Sequence, residues 1–296
     1  MQNQTSQYRS HRTMKVSDCM HSDVVYVSVP GTREDVIQTM AEKQVNGVPV
    51  VKKGTKKIVG IVTRADLLRK TNEDQLAMLM DRNFVTVTPK SEVRTAAKLM
   101  IEKNCRRLPV VDEEDLVGMI TAPDVLGAAL EDKEEFQNKD IREYVNRRVF
   151  AVWNQTPLPL AYMIMEMAGQ NALVVLDGEG DVTGMITVSD LIHFSEVTVE
   201  DNVSKTFSGT DSTVEWGWTS KDFLVVTRKL LKLPNIPVEK VVIKNVITVR
   251  EVTSISECVK ILRKSDIDQA PVLSATGSLV GMIEDMDLLP LAAEQL

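Results

Sequence analysis

A hydroxyl followed three residues later by a carboxylate, Thr63-Arg64-Ala65-Asp66, stands where the apolar run Gly60-Ile61-Val62 gives way to a helix-forming stretch. Two kinds of chemistry fit that spacing. It is a capping box, in which the hydroxyl accepts from a backbone N–H at the start of the helix and the carboxylate accepts back from the threonine N–H. It also suits a ligand. An ionised carboxylate near a helix start accepts two hydrogen bonds, as the adjacent hydroxyls of a ribose demand, and the unpaired N–H groups there attract phosphate. A single copy fits either reading.

The pattern comes back as Gly118-Met119-Ile120-Thr121-Ala122-Pro123-Asp124, as Gly184-Met185-Ile186-Thr187-Val188-Ser189-Asp190, and in altered form as Gly281-Met282-Ile283-Glu284-Asp285-Met286-Asp287. Copies about 58, 66 and 97 positions apart indicate a fold built from one repeated unit. In the last copy Glu284 replaces the hydroxyl while Asp287 stays, and an acid kept without its cap partner points to a second task.

The elements that must carry the motif follow from local pattern. Val24 to Val27 is a β-branched run closed by Pro30-Gly31, hence a strand and turn. Thr32 caps a helix with Val36, Ile37 and Met40 on one face. Val48 to Val51 and Ile58 to Val62 are strands, and a helix starts at Thr63, so the unit is β-α-β-β-α. At equal offsets from Pro49, Pro109, Leu173 and Pro271, the helix slots hold Val36/Ile37/Met40, Ala96/Ala97/Met100, Leu160/Ala161/Ile164 and Cys258/Val259/Leu262, apolar every time, as a buried face requires. The second, third and fourth units open at Phe84, Arg148 and Val246. This predicts an α/β (α+β) chain of four repeats in two pairs. A flexible tail covers residues 1–14, the first pair 15–130 (units 15–72 and 73–130), a linker 131–140 and the second pair 141–296 (units 141–195 and 241–296). The stretch 196–240 is an inserted element, with Trp216-Gly217-Trp218 and a helix-like Phe223 to Leu231, that packs on its own pair or serves as a docking or covering flap.

Composition narrows the function. A formal charge of −7 argues against broad binding to nucleic acid or anionic membranes. No apolar run approaches a membrane span, and the polar start lacks a signal-peptide core, which points to the cytoplasm. Cys19, Cys105 and Cys258 have no metal-type spacing, and Cys105 and Cys258 fall in core slots. His11, His21 and His193 are scattered, and no catalytic triad, P-loop or Rossmann pattern occurs. No catalytic or metal site is expected.

Four in-register β-α-β-β-α units ending in Gly-apolar-x-Thr/Ser-x-x-Asp resemble cystathionine β-synthase (CBS) domains, which pair into Bateman modules. The likeness runs from about Met14 to the end and is similar in arrangement to the gamma subunit of AMP-activated kinase and to stand-alone prokaryotic CBS proteins. It implies clefts between paired repeats that hold adenosine derivatives such as AMP, ADP, ATP or S-adenosylmethionine. The threonine of the motif would face ribose or phosphate, and the aspartate the ribose hydroxyls. Carried over by position, Thr63 and Asp66 would face Arg106 and Arg107, the best anion site. Thr121 and Asp124 would face Asn46 and Gly47. Thr187 and Asp190 would face Asp268 and Gln269, where the added carboxylate suits a neutral or cationic ligand. Asp287 would face Gln170 and Asn171, although Glu284 departs from the pattern. The expected protein is a non-enzymatic sensor of adenine nucleotides that forms a homodimer through module faces and passes occupancy to a regulated protein. The competing readings are an S-adenosylmethionine sensor, an assembly scaffold with empty clefts, an enzyme, and a DNA-binding regulator.

Overall fold

The structure is a computed structural model that describes residues 13–70, 72–204, 224–242, 244 and 246–296. In the first repeat, β1 (Val27–Val29) runs parallel to β2 (Gly47–Lys52) with α1 (Arg33–Glu42) connecting them. β3 (Ile58–Thr63) then returns antiparallel and leads into α2 (Arg64–Arg69). Thr32 caps α1 with Asp35 as expected, the Thr32 N–H donating to Asp35 Oδ2 at 2.7 Å. A short α3 (Leu76–Leu79) leads to the second repeat, made of α4 (Val93–Lys103), β4 (Arg107–Asp112), β5 (Asp115–Thr121) and α5 (Ala122–Leu126), the last continuing as a π-helical turn, Gly127–Glu131. After α6 (Glu134–Gln137) the third repeat has β6 (Ala151–Trp153), α7 (Leu158–Ala168), β7 (Ala172–Leu176), β8 (Val182–Thr187) and α8 (Val188–His193). An antiparallel hairpin, β9 (Glu196–Ser204) with β10 (Leu224–Lys232), precedes the fourth repeat: β11 (Val249–Arg250), α9 (Ile255–Lys264), β12 (Gln269–Leu273), β13 (Leu279–Glu284) and α10 (Asp285–Gln295). The hairpin of the last two strands slips register at the equivalent step in every repeat, at Val50/Val51, Val110/Val111, Val175/Leu176 and Val272/Leu273.

Four expectations need correction. The opening strand of each unit is short, and in the second unit it is only the parallel bridge Val87↔Val110, because no more than two or three residues pair before the chain turns away. Leu224 to Leu231 is strand, not helix; its Val225-Val226-Thr227 run is β-branched, and a short apolar run carries no reliable helical period. Trp216, Trp218 and Phe223 lie outside the described residues. Leu160 is 45% exposed, because the strand position that pairs as Pro49 does is Val174 and not Leu173, so the helix slots fall one residue later and α7 buries Ala161 and Met165, with Leu158. Met14 does not belong to the expected tail: its carbonyl accepts from Val93 N–H and its side chain packs on the core of the second repeat.

Each repeat is completed by the leading segment of its neighbour. Met20-His21 bridges to Met119 in the second repeat, while Met80-Asp81 bridges to Ile61 in the first, each by a reciprocal pair of backbone hydrogen bonds. Asn146 does the same at Met282 in the fourth repeat, and the segment around Pro237 and Val238 packs into the third. These crossings explain the glycine that opens three of the four motifs. A Cβ at Gly60 would lie 2.7 Å from Met80 Sδ and 2.9 Å from the Asp81 carbonyl oxygen; at Gly118 it would meet Met20 Sδ at 2.7 Å and the His21 oxygen at 3.1 Å; at Gly281 the Asn146 oxygen at 2.7 Å. The exchange leaves no room for a side chain.

Across the pairs, the second and fourth repeats share one continuous core, in which Val125, Leu126 and Leu130 lie with Val259, Leu262, Leu288 and Ala292. The first and third keep separate cores joined where α2 meets α8, with Leu68 and Ile192 each packed into the other's cluster. The second and fourth repeats are also tied by charge. Arg106 Nη2 lies 2.6 Å from Asp285 Oδ2 and 3.2 Å from Asp268 Oδ1, and it donates to the Asp268 carbonyl at 2.9 Å. Asp285 is fully buried, and neither of its oxygens has a hydrogen bond of good geometry among the described residues. Burial therefore outweighs the nearby guanidinium and pushes this carboxyl up to about 6.

Two predictions follow from this packing. Gly60→Ala costs roughly 1–3 kcal/mol by overpacking the crossing segment, whereas Gly178→Ala, with open space around its Cβ, is near neutral; urea denaturation of both variants checks the contrast. A carboxyl raised in the folded state favours folding when protonated, so the Asp285 contribution is fully present below about pH 4 and is lost as the pH rises to about 6. Wild type accordingly loses stability relative to Asp285→Asn across pH 4–6.5, by an amount on the order of 2–3 kcal/mol; parallel stability curves would refute this.

Candidate functional site

The helix that carries Thr63 and Asp66 is held from outside by a buried arginine. Arg33, 6% exposed, donates from Nη1 to the Leu67 carbonyl at 2.6 Å and from Nε to the Glu73 carbonyl at 2.9 Å, and also reaches the Lys70 carbonyl, which fixes the C-terminal end of α2. At the other end the box is formed. Asp66 Oδ2 accepts from the Thr63 N–H at 2.9 Å and from its hydroxyl at 2.6 Å, and Thr63 Oγ1 accepts from the Asp66 N–H at 3.3 Å. The same arrangement closes at Thr121/Asp124 and at Thr187/Asp190. It closes at Glu284/Asp287 too: the Glu284 carboxylate takes the acceptor role of the missing hydroxyl, and Asp287 Oδ2 accepts from the Glu284 N–H at 2.8 Å. The loss of the hydroxyl in the fourth copy is therefore no sign of a second task, because a glutamate also caps. Burial, then mutual repulsion with Asp287, raises the Glu284 carboxyl.

What distinguishes the copies is where they open. A cavity of about 890 Å³ sits where the four repeats meet, within the size range of small-molecule sites. Its wall takes Asn46, Ile61, Thr63, Arg64 and Asp66 from the first repeat and Cys105, Arg106 and Arg107 from the second, with Phe84 and Val85 from the segment between them. The third repeat gives Asn171, Met185, Thr187, Val188 and Ser189; Val246, Ile247, Ile267, Asp268 and Gln269 come from the fourth and its leading segment. Two apolar surfaces, one near Phe84 and Val85 and one formed by Met185, Val246 and Ile247, thus share one cavity with a set of charged groups. Ser189 Oγ meets Asn46 Oδ1 at 3.3 Å across the first and third repeats.

The charge in this wall is unbalanced where it matters. Arg107 makes a single side-chain hydrogen bond among the described residues, Nη1 to the Gly47 carbonyl at 3.2 Å. Burial, then the neighbouring positive charge of Arg106 and Arg64, works against its own charge and lowers its pKa, although Asp268 and Asp285 partly offset this. Arg64 has no ion pair among the described residues and is likewise lowered, chiefly by burial, with Asp190 opposing. Arg106 is different. Burial pulls it down, but Asp285, Asp268 and Glu284 more than reverse that, so its charge is already spent on the fourth repeat. An anion between Arg64 and Arg107 would relieve both.

The structure brings together Thr63, Asp66, Arg106, Arg107, Asn46 and Thr187 in one wall, together with Asp268 and Gln269. Gly47 lies behind Arg107, and a Cβ there would be 2.9 Å from Arg107 Nη1. Asp190 lies outside the wall but acts on Arg64 by charge. Thr121, Asp124 and Asp287 are not part of it; Asp124 Oδ1 is instead 3.0 Å from His21 Nε2. Arg64 escaped the sequence reading, although a signal existed: the slot after the hydroxyl holds Arg64, Ala122, Val188 and Asp285, so a cation occurs there in the first unit alone. The thiols are held protonated by burial, Cys258 up to about 12 and Cys19 up to about 11, the latter also by the charge of Asp124; Cys105 is raised by burial as well. Among the described residues no helix is long and apolar enough to cross a membrane.

Comparison with known proteins fits this geometry. Over 94% of its length the chain is 25% identical to the protein MJ1225 of Methanocaldococcus jannaschii, covering 98% of that protein. The crystal structure of MJ1225, described as a candidate archaeal homolog of g-AMPK, superposes with a TM-score of 0.75 at 22% identity, covering 94% of this chain and 99% of that one. A conserved protein of Pyrococcus horikoshii superposes with a TM-score of 0.61 at 26% identity over 94% of this chain and all of the other. Inosine-5'-monophosphate dehydrogenase of Korarchaeum cryptofilum is 36% identical over 105 residues, 35% of this chain, but that match spans only 22% of the enzyme. Residues 16–73, 76–131, 141–196 and 238–294 each match the CBS domain. With four copies accounting for most of its length, the chain belongs to the CBS-domain family.

Proposed function

We propose that this chain is a non-enzymatic regulatory sensor that binds an adenine nucleotide, AMP, ADP or ATP, in the central cavity. Its modules are residues 15–130 and 141–296. The observation that carries the reading is the pair Arg64 and Arg107, two guanidiniums in the cavity wall that lack a carboxylate partner among the described residues. They stand in the same wall as Asp66, whose Oδ2 is fixed by the capping box. Among the described residues Asp66 Oδ1 is left with one long contact, to Arg69 of its own helix at 3.5 Å. A phosphate on the arginines, a ribose diol on Asp66 and a base against Phe84 and Val85 use each group for what it does best. The arginines favour a phosphate-bearing ligand over S-adenosylmethionine, which is cationic at sulfur; the cavity half near Asp268 remains suited to that compound. A cytoplasmic setting goes with this reading, and occupancy is passed to a regulated protein or a second copy of the chain. Any such signal is limited to the difference in ligand affinity between the two arrangements.

AMP or ATP at 100 times its dissociation constant raises unfolding stability by about 2.7 kcal/mol, read by thermal or chemical denaturation. Asp66→Ala abolishes most of that gain and costs roughly 1 kcal/mol without ligand through the lost cap. Arg64→Ala with Arg107→Ala weakens AMP by about 10–100-fold, from a charged hydrogen bond worth roughly 1.5–3 kcal/mol, but leaves adenosine nearly unchanged. Absence of any shift with AMP, ADP, ATP and S-adenosylmethionine contradicts the sensor reading.

A further inference from the structure

The two motif carboxylates of the first pair of repeats are built alike and end differently. Each spends Oδ2 on its capping box, at 2.6 Å from Thr63 Oγ1 in Asp66 and 2.6 Å from Thr121 Oγ1 in Asp124. That leaves Oδ1 as the oxygen a sugar diol would need. Beside each motif runs the leading segment of the partner repeat, pinned by the reciprocal backbone bonds at Ile61↔Asp81 and Met119↔His21, so Asp81 and His21 are structural counterparts. Asp81 turns its carboxylate onto the Asn83 N–H at 2.8 Å. His21 turns its ring onto Asp124 Oδ1 at 3.0 Å. Among the described residues, Asp124 is the one motif aspartate whose outer oxygen is held by a residue from another segment. It is also absent from the cavity wall that includes Asp66.

We infer that His21 is a specificity-determining residue that selects the cleft: by occupying Asp124 Oδ1 it keeps the second cleft of the first module from taking a nucleoside, and so directs the ligand to Asp66. The inference rests on the adenosyl-ligand reading above. It follows from position as much as from chemistry. The His21 backbone is fixed by two hydrogen bonds to Met119, each 2.9 Å, which keeps the ring within reach of Asp124. The ring itself is exposed, at 68%, so removing it leaves the fold intact. An imidazole against a carboxylate oxygen competes for the same site and the same geometry as a ribose hydroxyl.

The test is AMP stoichiometry by isothermal titration calorimetry on the full chain, with equilibrium dialysis against labelled AMP as a second reading. His21→Ala binds one more AMP per chain than wild type, and the double variant His21→Ala with Asp124→Ala returns to the wild-type number. Binding by wild type with an unchanged count in His21→Ala overturns this inference and leaves the sensor reading standing. A lower count in His21→Ala, which would make the ring a ligand contact, also overturns it. No binding of AMP, ADP, ATP or S-adenosylmethionine by either protein removes the sensor reading and this inference together.

Discussion

A carboxylate has two oxygens, and the capping box at the start of α2 uses only one. Asp66 Oδ2 is tied to Thr63 by two hydrogen bonds, which locks the side chain in place, while among the described residues Oδ1 keeps only the 3.5 Å contact with Arg69. On the proposed reading, cap and ligand site are one device. The helix end supplies the rigidity that a binding group needs, and the exchange of leading segments brings Phe84 and Val85 into the same cavity wall. Gly60 permits that crossing by leaving no side chain in its path.

Charge then separates equivalent positions that sequence symmetry would make identical. The slot after the hydroxyl is a cation in the first repeat, Arg64, and a buried anion in the fourth, Asp285. Arg106 goes to the anion, at 2.6 Å, and with the shared core ties the second repeat to the fourth. Arg64 and Arg107 are left in the cavity wall without an ion pair among the described residues. A half-buried cation with no ion pair is costly, and on the proposed reading a bound phosphate supplies one. The same comparison gives Asp124 a histidine and Asp66 none.

Much of this was legible in the chain. The motif repeats, the β-α-β-β-α order, the Thr32 cap and the core positions of Val36, Ala96 and Cys258 follow from period and spacing, because each is fixed by neighbours within a few residues. Features set by distant partners were not legible. Arg106 and Asp285 are 179 positions apart, and nothing local tells an arginine which acid will claim it. The segment exchange left no signature beyond the repeated glycine, since residues 13–21 and 76–82 are too short to show a period. The face of α7 was placed one residue early because it was counted from Leu173, whereas the strand position that pairs as Pro49 does is Val174, and an almost wholly apolar helix gave no sign of the slip. The fourth motif misled because a glutamate was not counted as a cap.

A crystal structure of the chain grown with AMP tests the central claim most directly. The account predicts ribose hydroxyls within about 3 Å of Asp66 Oδ1, Oδ2 still on Thr63, and the phosphate between Arg64 and Arg107. A cavity left without nucleotide at saturating AMP, with both Asp66 oxygens turned onto the backbone of α2, would contradict it.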